Sequence, residues 1–393
     1  MRAGLAVAFT AVAAVAAAAC AYDRPPLADD AGADGPTDAP SADAALACTP
    51  SSCQSGVCLD GACVEDGAVV YVATEGVDDG QCRRTAPCRT IAHALAVASE
   101  PAIVAIGPGS FTEAITLRAP ATLIGDDRDG GTATLLRPTV DPGIRIELEG
   151  AGVVALRDLS LVGAGVSCQG IGTVLDGRGL VVVDSRRVGV ESRDCAIALR
   201  GGAIVEGELQ GLDLVRGSLE LRGVVIASNR RGGVRTREAT AVVVTGSVLA
   251  DNGEPTSPTG TGSPFGGAEL VAAAVRFVGN TLVDNRAASA SDAALRCEGN
   301  GDGDAYDNNL IMSEFAYAVT CPITHSVLVG AIEAPGGTNR VFDQVELVDP
   351  EGLDYHLRAP LPSTAPAPPA DELDLDGQPR PLGSLDVGAD EQP

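Results

Sequence analysis

The sequence predicts an all-β fold assembled from thin, repeated layers, and three observations lead there. The chain has 393 residues with 48 Gly, 5 Tyr, 6 Phe, 2 Met and no Trp, so its core must come from Val, Ile, Leu and Ala. Such residues fill stacked sheet layers better than a centre organised around aromatics. The stretch GLVVVDSRRVGVES, starting at Gly179, is echoed 44 residues later by GVVIASNRRGGVRT, starting at Gly223. A shorter signature also recurs: IASN ending at Asn229, LADN at Asn252 and LVDN at Asn285, at intervals of 23 and 33 residues. The ten extra residues of the second interval match an inserted loop, EPTSPTGTGSP, made of turn and linker residues.

Read in order, the chain opens with an export signal over residues 1–19. MRAGLAVAFTAVAAVAAAAC carries one charge, Arg2, before an Ala/Val stretch too short and weakly apolar for a stable membrane span. Small residues precede Cys20, an arrangement that resembles a bacterial lipoprotein signal in which that cysteine becomes the lipid-attachment site. Ala17 stands where Leu is usual in that pattern, so cleavage with simple secretion is the other reading. Residues 20–47 then form the lipid anchor and a disordered tether. From residue 21 to 47 there are 6 Asp against 1 Arg, with Pro and Ala between and no apolar periodicity. The anchor makes the membrane a partner and places the protein in the cell envelope, as an outer-membrane lipoprotein or an extracellular protein.

Residues 48–67 read as a small Cys-rich module. Cys48, Cys53, Cys58 and Cys63 recur every five residues, wider than the close pairs zinc prefers, so disulfides of undetermined connectivity are expected and a zinc site is the lesser alternative. Eleven cysteines less Cys20 leave an even ten, as suits an oxidising compartment. The main domain, 68–342, opens with VVYVA and AIVAIG, read as buried strands. Between them Thr90 caps a short helix with Ile91, Leu95 and Ala98 on one face. Cys82 and Cys88 close a small loop just before it.

Here a family resemblance enters. YVATEGVDDGQ, CRTIAHALAVA and IVAIGPGSFTEAITL are similar to the opening of right-handed parallel β-helix proteins of the pectin-lyase-like class. In those proteins a strand and short helix cap the open end, and a G-x-Y-x-E segment, here GSFTE with Phe111 for Tyr, enters the first coil. The segment 343–393 resembles the closing segment of the choice-of-anchor Q group of bacterial surface proteins, through Asp374 to Pro381 and Asp386 to Glu391. The resemblance implies a single-stranded right-handed parallel β-helix solenoid with a short N-terminal capping helix, preceded by the disulfide-rich module.

In that fold a coil takes roughly 20 to 25 residues, so 44 residues are two coils of about 22, and the two echoes lie two rungs apart on one face. The stretch between them, near Gly201, matches poorly. Stacked, inward-turned Asn229, Asn252 and Asn285 would hydrogen-bond above and below. Cys168 and Cys195, 27 apart, and Cys297 and Cys321, 24 apart, fit adjacent rungs, whose spacing a disulfide can span. A leucine-rich repeat also has periods in the twenties, but its frame is not kept.

The net charge of −26 argues against nucleic acid as a partner, because phosphate contacts need a basic footprint. All 27 basic residues are Arg, which removes lysine as a catalytic base. The charge is uneven: from Arg178 to Arg237 there are 11 Arg against 7 acids, whereas from Asp343 onward 12 acids face 2 Arg. Arg186, Arg187, Arg230 and Arg231, with Asp184 as orienter, are the candidate ligand-binding residues, a stripe for acidic polysaccharide. The alternative is that they solvate turns, balanced by Glu191, Asp194 and Glu220. Asp302, Asp304 and Asp307 have calcium-loop spacing without the EF-hand Gly and Glu, and Asp374 and Asp376 invite the same suspicion. No metal ligands are assigned, and calcium is the one cofactor considered.

No catalytic residues are assigned. The polygalacturonase set N-T-D, D-D, H-G and R-I-K is absent, with Asp126 and Asp127 the sole nearby D-D. His93, His325 and His356 have no triad pattern beside them. The expectation is a non-enzymatic surface lipoprotein whose β-helix stalk binds glycans or surface proteins. A polysaccharide lyase or glycoside hydrolase acting on acidic polysaccharide is the alternative.

Overall fold

The structure is a computed structural model, and it describes residues 48, 52–59, 61–126, 133–255, 262–289, 293–298, 303–313, 319–330, 338–363, 374–375, 378, 380 and 386–390. Cys20, Asp127, Asp302, Asp376 and Glu391, with the signal and tether, lie outside them.

The main domain is a parallel β-helix with three faces, visited in the same order in every coil. The first face runs from Val69–Val72 through Gly152–Arg157, Ser218–Arg222 and Ala241–Thr245 to Ala305–Asp307. The second runs from Gly109–Phe111 to Arg340–Phe342, and the third is an eight-stranded sheet from Ile115–Leu117 to Leu295–Glu298. The long strands Thr173–Val183 and Ala196–Val205 pass from the first face to the second without a break. Every pairing along these ladders is parallel, and the register keeps one residue type stacked on its like. On the second face Leu161, Val182, Ile204, Ile226, Leu249, Leu282, Ile311 and Leu328 are successive partners on eight rungs, all buried. Branched aliphatics suit this site because each coil offers an identical, thin layer to the next.

The echo is resolved as two rungs. Val181 pairs with Ala203, which pairs with Val225, so the stretch near Gly201 is a full coil that keeps the inward pattern through Ile197, Leu199 and Ile204. Why the two echoes open on glycine follows from the corners. Gly179 and Gly223 bend the chain from the first face to the second at φ of 60° and 58°, in the left-handed region. The next corner, from second face to third, repeats the device with Asp184, Glu206, Ser228, Asp251 and Asp284, all with φ between 48° and 59°. Short polar side chains reach that region more readily than apolar ones, which is why most of these corners read Asp.

Behind the second of these corners stands the asparagine stack. Asn252 Oδ1 accepts from the Asn229 backbone N–H at 3.1 Å and its side-chain amide at 3.0 Å, while Asn252 Nδ2 donates to Ile226 O and to Asn285 Oδ1. A second stack, not anticipated, runs at the other corner. Ser247 N–H donates to Asn280, Asn280 N–H to Asn309, Asn309 N–H to Ser326 and Ser326 N–H to Asn339, each to the next residue's side-chain oxygen.

The N-terminal end is closed as expected. The helix Ile91–Val97 (α1) is capped by Thr90, whose side chain accepts from His93 N–H, and it buries Ile91 and Ala94 with Leu95 and Ala98 packed alongside. Glu113 of the GSFTE segment supplies the second cap: its carboxylate accepts from the Ile91 and Ala92 amides at 2.8 and 2.9 Å. Disulfides join Cys82 to Cys88, Cys168 to Cys195 and Cys297 to Cys321. The two pairings that the sequence leaves open are Cys48 with Cys58 and Cys53 with Cys63. Five disulfides mark an extracytoplasmic protein.

The C-terminal segment folds back over the outward side of the second face. Val183, Val205, Ala227, Ala250, Val283, Leu310 and Val329 form one apolar cluster with Leu347, Tyr355, Leu357, Leu361, Val387 and Ala389. Charged residues of the closing motif are buried and hold this layer down. Arg380 donates to Gly388 O and Gly279 O, Asp374 accepts from Gln378 N–H, Asp386 from Leu361 N–H and Asp390 from Leu357 N–H. Asp374, suspected of calcium binding, is thus engaged within its own turn.

Candidate ligand-binding face

Arg157, Arg178, Arg200 and Arg222 occupy one register position on four consecutive coils of the first face. Their strands alternate inward and outward: Leu175, Leu199 and Leu221 turn to the core, and the arginines three or one residues away turn out. Four guanidinium groups therefore stand in file over three rung spacings, about 14 Å at roughly 4.8 Å per rung.

Two carboxylates are set among them. Asp176 pairs with Arg157, and its Oδ1 lies 3.4 Å from Arg200 Nη1. Glu220 Oε1 takes Arg200 Nη2 at 3.1 Å and Arg222 Nε at 2.7 Å. These contacts fix the guanidinium planes without neutralising the file, because among the described residues two acids face four arginines. Arg178, Arg200 and Arg222 keep 43%, 40% and 34% of their side-chain surface exposed, against 12% for Arg157, so three of the four present part of their surface to solvent. Beside the file the outward positions are small or apolar: Val153, Val174, Ala196 and Ala198 give a flat floor.

The arginines singled out from the sequence sit elsewhere, at the corner between second and third faces. Arg186 Nε donates to Gly163 O on the preceding coil at 2.9 Å. Arg230 Nε pairs with Glu254 Oε1 at 2.8 Å, and Arg231 Nη1 donates to Gly262 O. Glu254 and Ser263 bond each other across the base of the inserted loop, and Ser263 Oγ donates to Arg230 O. Arg230 and Arg231 thus tie down that loop, while Arg187 is exposed. Two of the three acids expected to balance them are used by other partners: Asp194 forms a two-bond pair with Arg216, and Glu220 serves the file on the first face. That pairing holds the Asp194 carboxyl below its ordinary range.

Asp184 belongs to the row of left-handed corner residues. Burial, then the nearby Glu208 charge, push its carboxyl up, with Arg186 opposing; Glu206 on the next rung is pushed up by burial and by Asp184. A carboxyl whose folded value is raised adds most to stability below its unfolded value, and that contribution is lost as pH rises through the folded value. Asp184→Asn, which also tolerates the left-handed corner, is therefore expected to melt above the wild type at pH 7. The difference should vanish at pH 3, as checked by thermal unfolding at both values.

Other candidates are occupied. Asp304 accepts from Val275 N–H, and Asp307 pairs with His325 Nδ1 at 2.8 Å. His356 lies between Asp354 and Asp390 in the C-terminal layer, and His93 Nε2 meets Gly80 O. Sulfurs of Cys48, Cys53 and Cys58 come within 4.8 Å of one another, but each is in a disulfide. The arginine file itself was readable as Arg at intervals of 21, 22 and 22 residues, a weaker signal to the eye than two Arg-Arg pairs.

Fold and site together define a disulfide-bonded parallel β-helix with a cationic file along one flat face. No family model and no curated protein matches the chain. Among solved structures it is similar to one titled "Crystal structure of pectate lyase Pel9A", with a TM-score of 0.38 and 13% identity over 82% of this chain and 90% of that one. The fold assignment rests on the strand register itself.

Proposed function

We propose that this chain is a non-enzymatic cell-surface protein, held by lipid on Cys20, whose β-helix binds an acidic polysaccharide along the first face. The observation that carries the reading is the register of Arg157, Arg178, Arg200 and Arg222. A file of planar cations at one per rung presents repeated two-bond donors to a chain of carboxylates, and arginine suits that geometry better than lysine. Asp176 and Glu220, the carboxylates set within the file, are ion-paired to arginine, an arrangement that serves positioning rather than proton transfer.

The test is retention on immobilised polyuronate across a salt gradient, with absorbance of the unsaturated lyase product followed in the same samples. Wild type should be retained at low salt and released as salt rises, without product. Arg178→Ser with Arg200→Ser and Arg222→Ser should weaken retention by roughly 10- to 100-fold, at about 0.5–1 kcal/mol per exposed charge pair. The four-site Ser variant at Arg186, Arg187, Arg230 and Arg231 should keep it. The reverse pattern would move the site to the corner, and product formation would place the chain among the lyases.

A further inference from the structure

The row of left-handed corner residues contains a second feature that the polysaccharide reading leaves unused. Asp251 and Asp284 stand on adjacent coils, one directly above the other: the Asp251 amide donates to Val283 O at 2.9 Å and the Asp284 amide to Met312 O at 3.1 Å. Both bend left-handed, at φ of 50° and 48°, which turns their side chains out at the edge of the second face. Two stacked carboxylates at one rung spacing repel each other, and the corner gives them no freedom to separate along the strand.

The C-terminal layer passes over this edge. Tyr355, in the strand Asp354–Leu357, is 2% exposed and belongs to the same apolar cluster as Ala250 and Val283, the residues immediately before the two aspartates. Its hydroxyl is buried and has no hydrogen-bond partner among the described residues. A buried hydroxyl left unpaired is destabilising against an apolar group of the same shape, so its presence where Phe would fit needs a reason. The charges that act on it are Asp251 and Asp284.

We propose that Asp251, Asp284 and the Tyr355 hydroxyl form a binding site for a divalent, oxygen-seeking cation, calcium by its chemistry, which ties the C-terminal layer to the coils. The donors are hard oxygens from three separate segments, which favours calcium over a transition metal and suits its tolerance of irregular geometry. The cation would remove the repulsion between the carboxylates and give the hydroxyl oxygen a partner. Arg286 is the positive group facing Asp251, and it competes for that carboxylate, so binding is expected in the weak range of extracellular calcium modules.

The experiment uses the oxidised full-length chain after chelator treatment, titrated with calcium chloride by calorimetry and by tyrosine fluorescence, which is clean here because the chain has no Trp. Calcium should bind with a Kd of about 10⁻⁴ to 10⁻³ M and magnesium at least tenfold more weakly. Asp251→Asn with Asp284→Asn should abolish the heat, and Asp304→Asn should leave it unchanged. Tyr355→Phe gives a reading that needs no perturbed fold: in chelator it should melt at or above the wild type, and in calcium below it. The proposal is overturned if wild type takes up no calcium at 5-fold above that range, if the double variant still binds, or if Tyr355→Phe keeps one order of melting in both media.

Discussion

Asn252→Ala is expected to destabilise the fold by about 4 kcal/mol. The side chain is fully buried and makes four hydrogen bonds, two accepted from Asn229 and two donated, to Ile226 O and Asn285 Oδ1. Alanine removes all four, strands the Asn229 backbone amide and leaves the Ile226 carbonyl a donor short, at about 1–3 kcal/mol for each group left unmet, while Asn285 Oδ1 keeps the bond from the Asn252 backbone N–H. The stack spreads the damage, since Asn229 is itself oriented by its bonds to Asn252 and to the Gly207 amide. Urea unfolding monitored by circular dichroism checks the figure. A loss below 1 kcal/mol would mean that the stack is decorative.

Ending the chain after Phe342 is the second large change, and its expected outcome is association rather than simple unfolding. The coils keep their own parallel pairings without the C-terminal layer, but Val183, Val205, Ala227, Ala250, Val283, Leu310 and Val329 lose their cover. Burying one such aliphatic side chain is worth about 1.5–3 kcal/mol, so a strip of seven represents on the order of 10 kcal/mol of gross apolar burial. A contiguous apolar strip on a flat parallel sheet is a template for self-association. Light scattering after size exclusion should show concentration-dependent oligomers for the shortened chain and a monodisperse species for the full one. Arg380→Ala should do the same in milder form, because this buried guanidinium joins Gly388 to Gly279 across the layer.

The parts of the molecule that were legible are those whose cause is local or periodic. The inward rows follow from aliphatic residues spaced at the coil length, the asparagine stack from Asn229, Asn252 and Asn285 closing a recurrent signature, and α1 from Thr90 and the apolar spacing after it. The disulfides between coils follow from cysteine separations near one coil. The second asparagine stack escaped notice because Ser247, Asn280, Asn309, Ser326 and Asn339 share no fixed triplet and lie at unequal intervals. The arginine file escaped for a related reason. An Arg reads as a binding residue or as a turn residue according to whether it stands outward on a strand, and that parity is set by the inward leucines beside it.

What the sequence by itself determined, then, is the repeating layer: its length, its apolar interior, its bends and its covalent staples, all of which depend on neighbours within one coil or the next. Only the tertiary structure decided what lies on the outside. Asp374, Arg380, Asp386 and Asp390 acquire their role from the second face on which their segment is laid, and Glu113 from a helix some twenty residues earlier. Outward side chains on a solenoid meet partners whose distance along the chain is set by inserted loops and returning segments. Burial dictates what an inward residue must be, whereas an outward charge is chosen by whatever the fold brings opposite it.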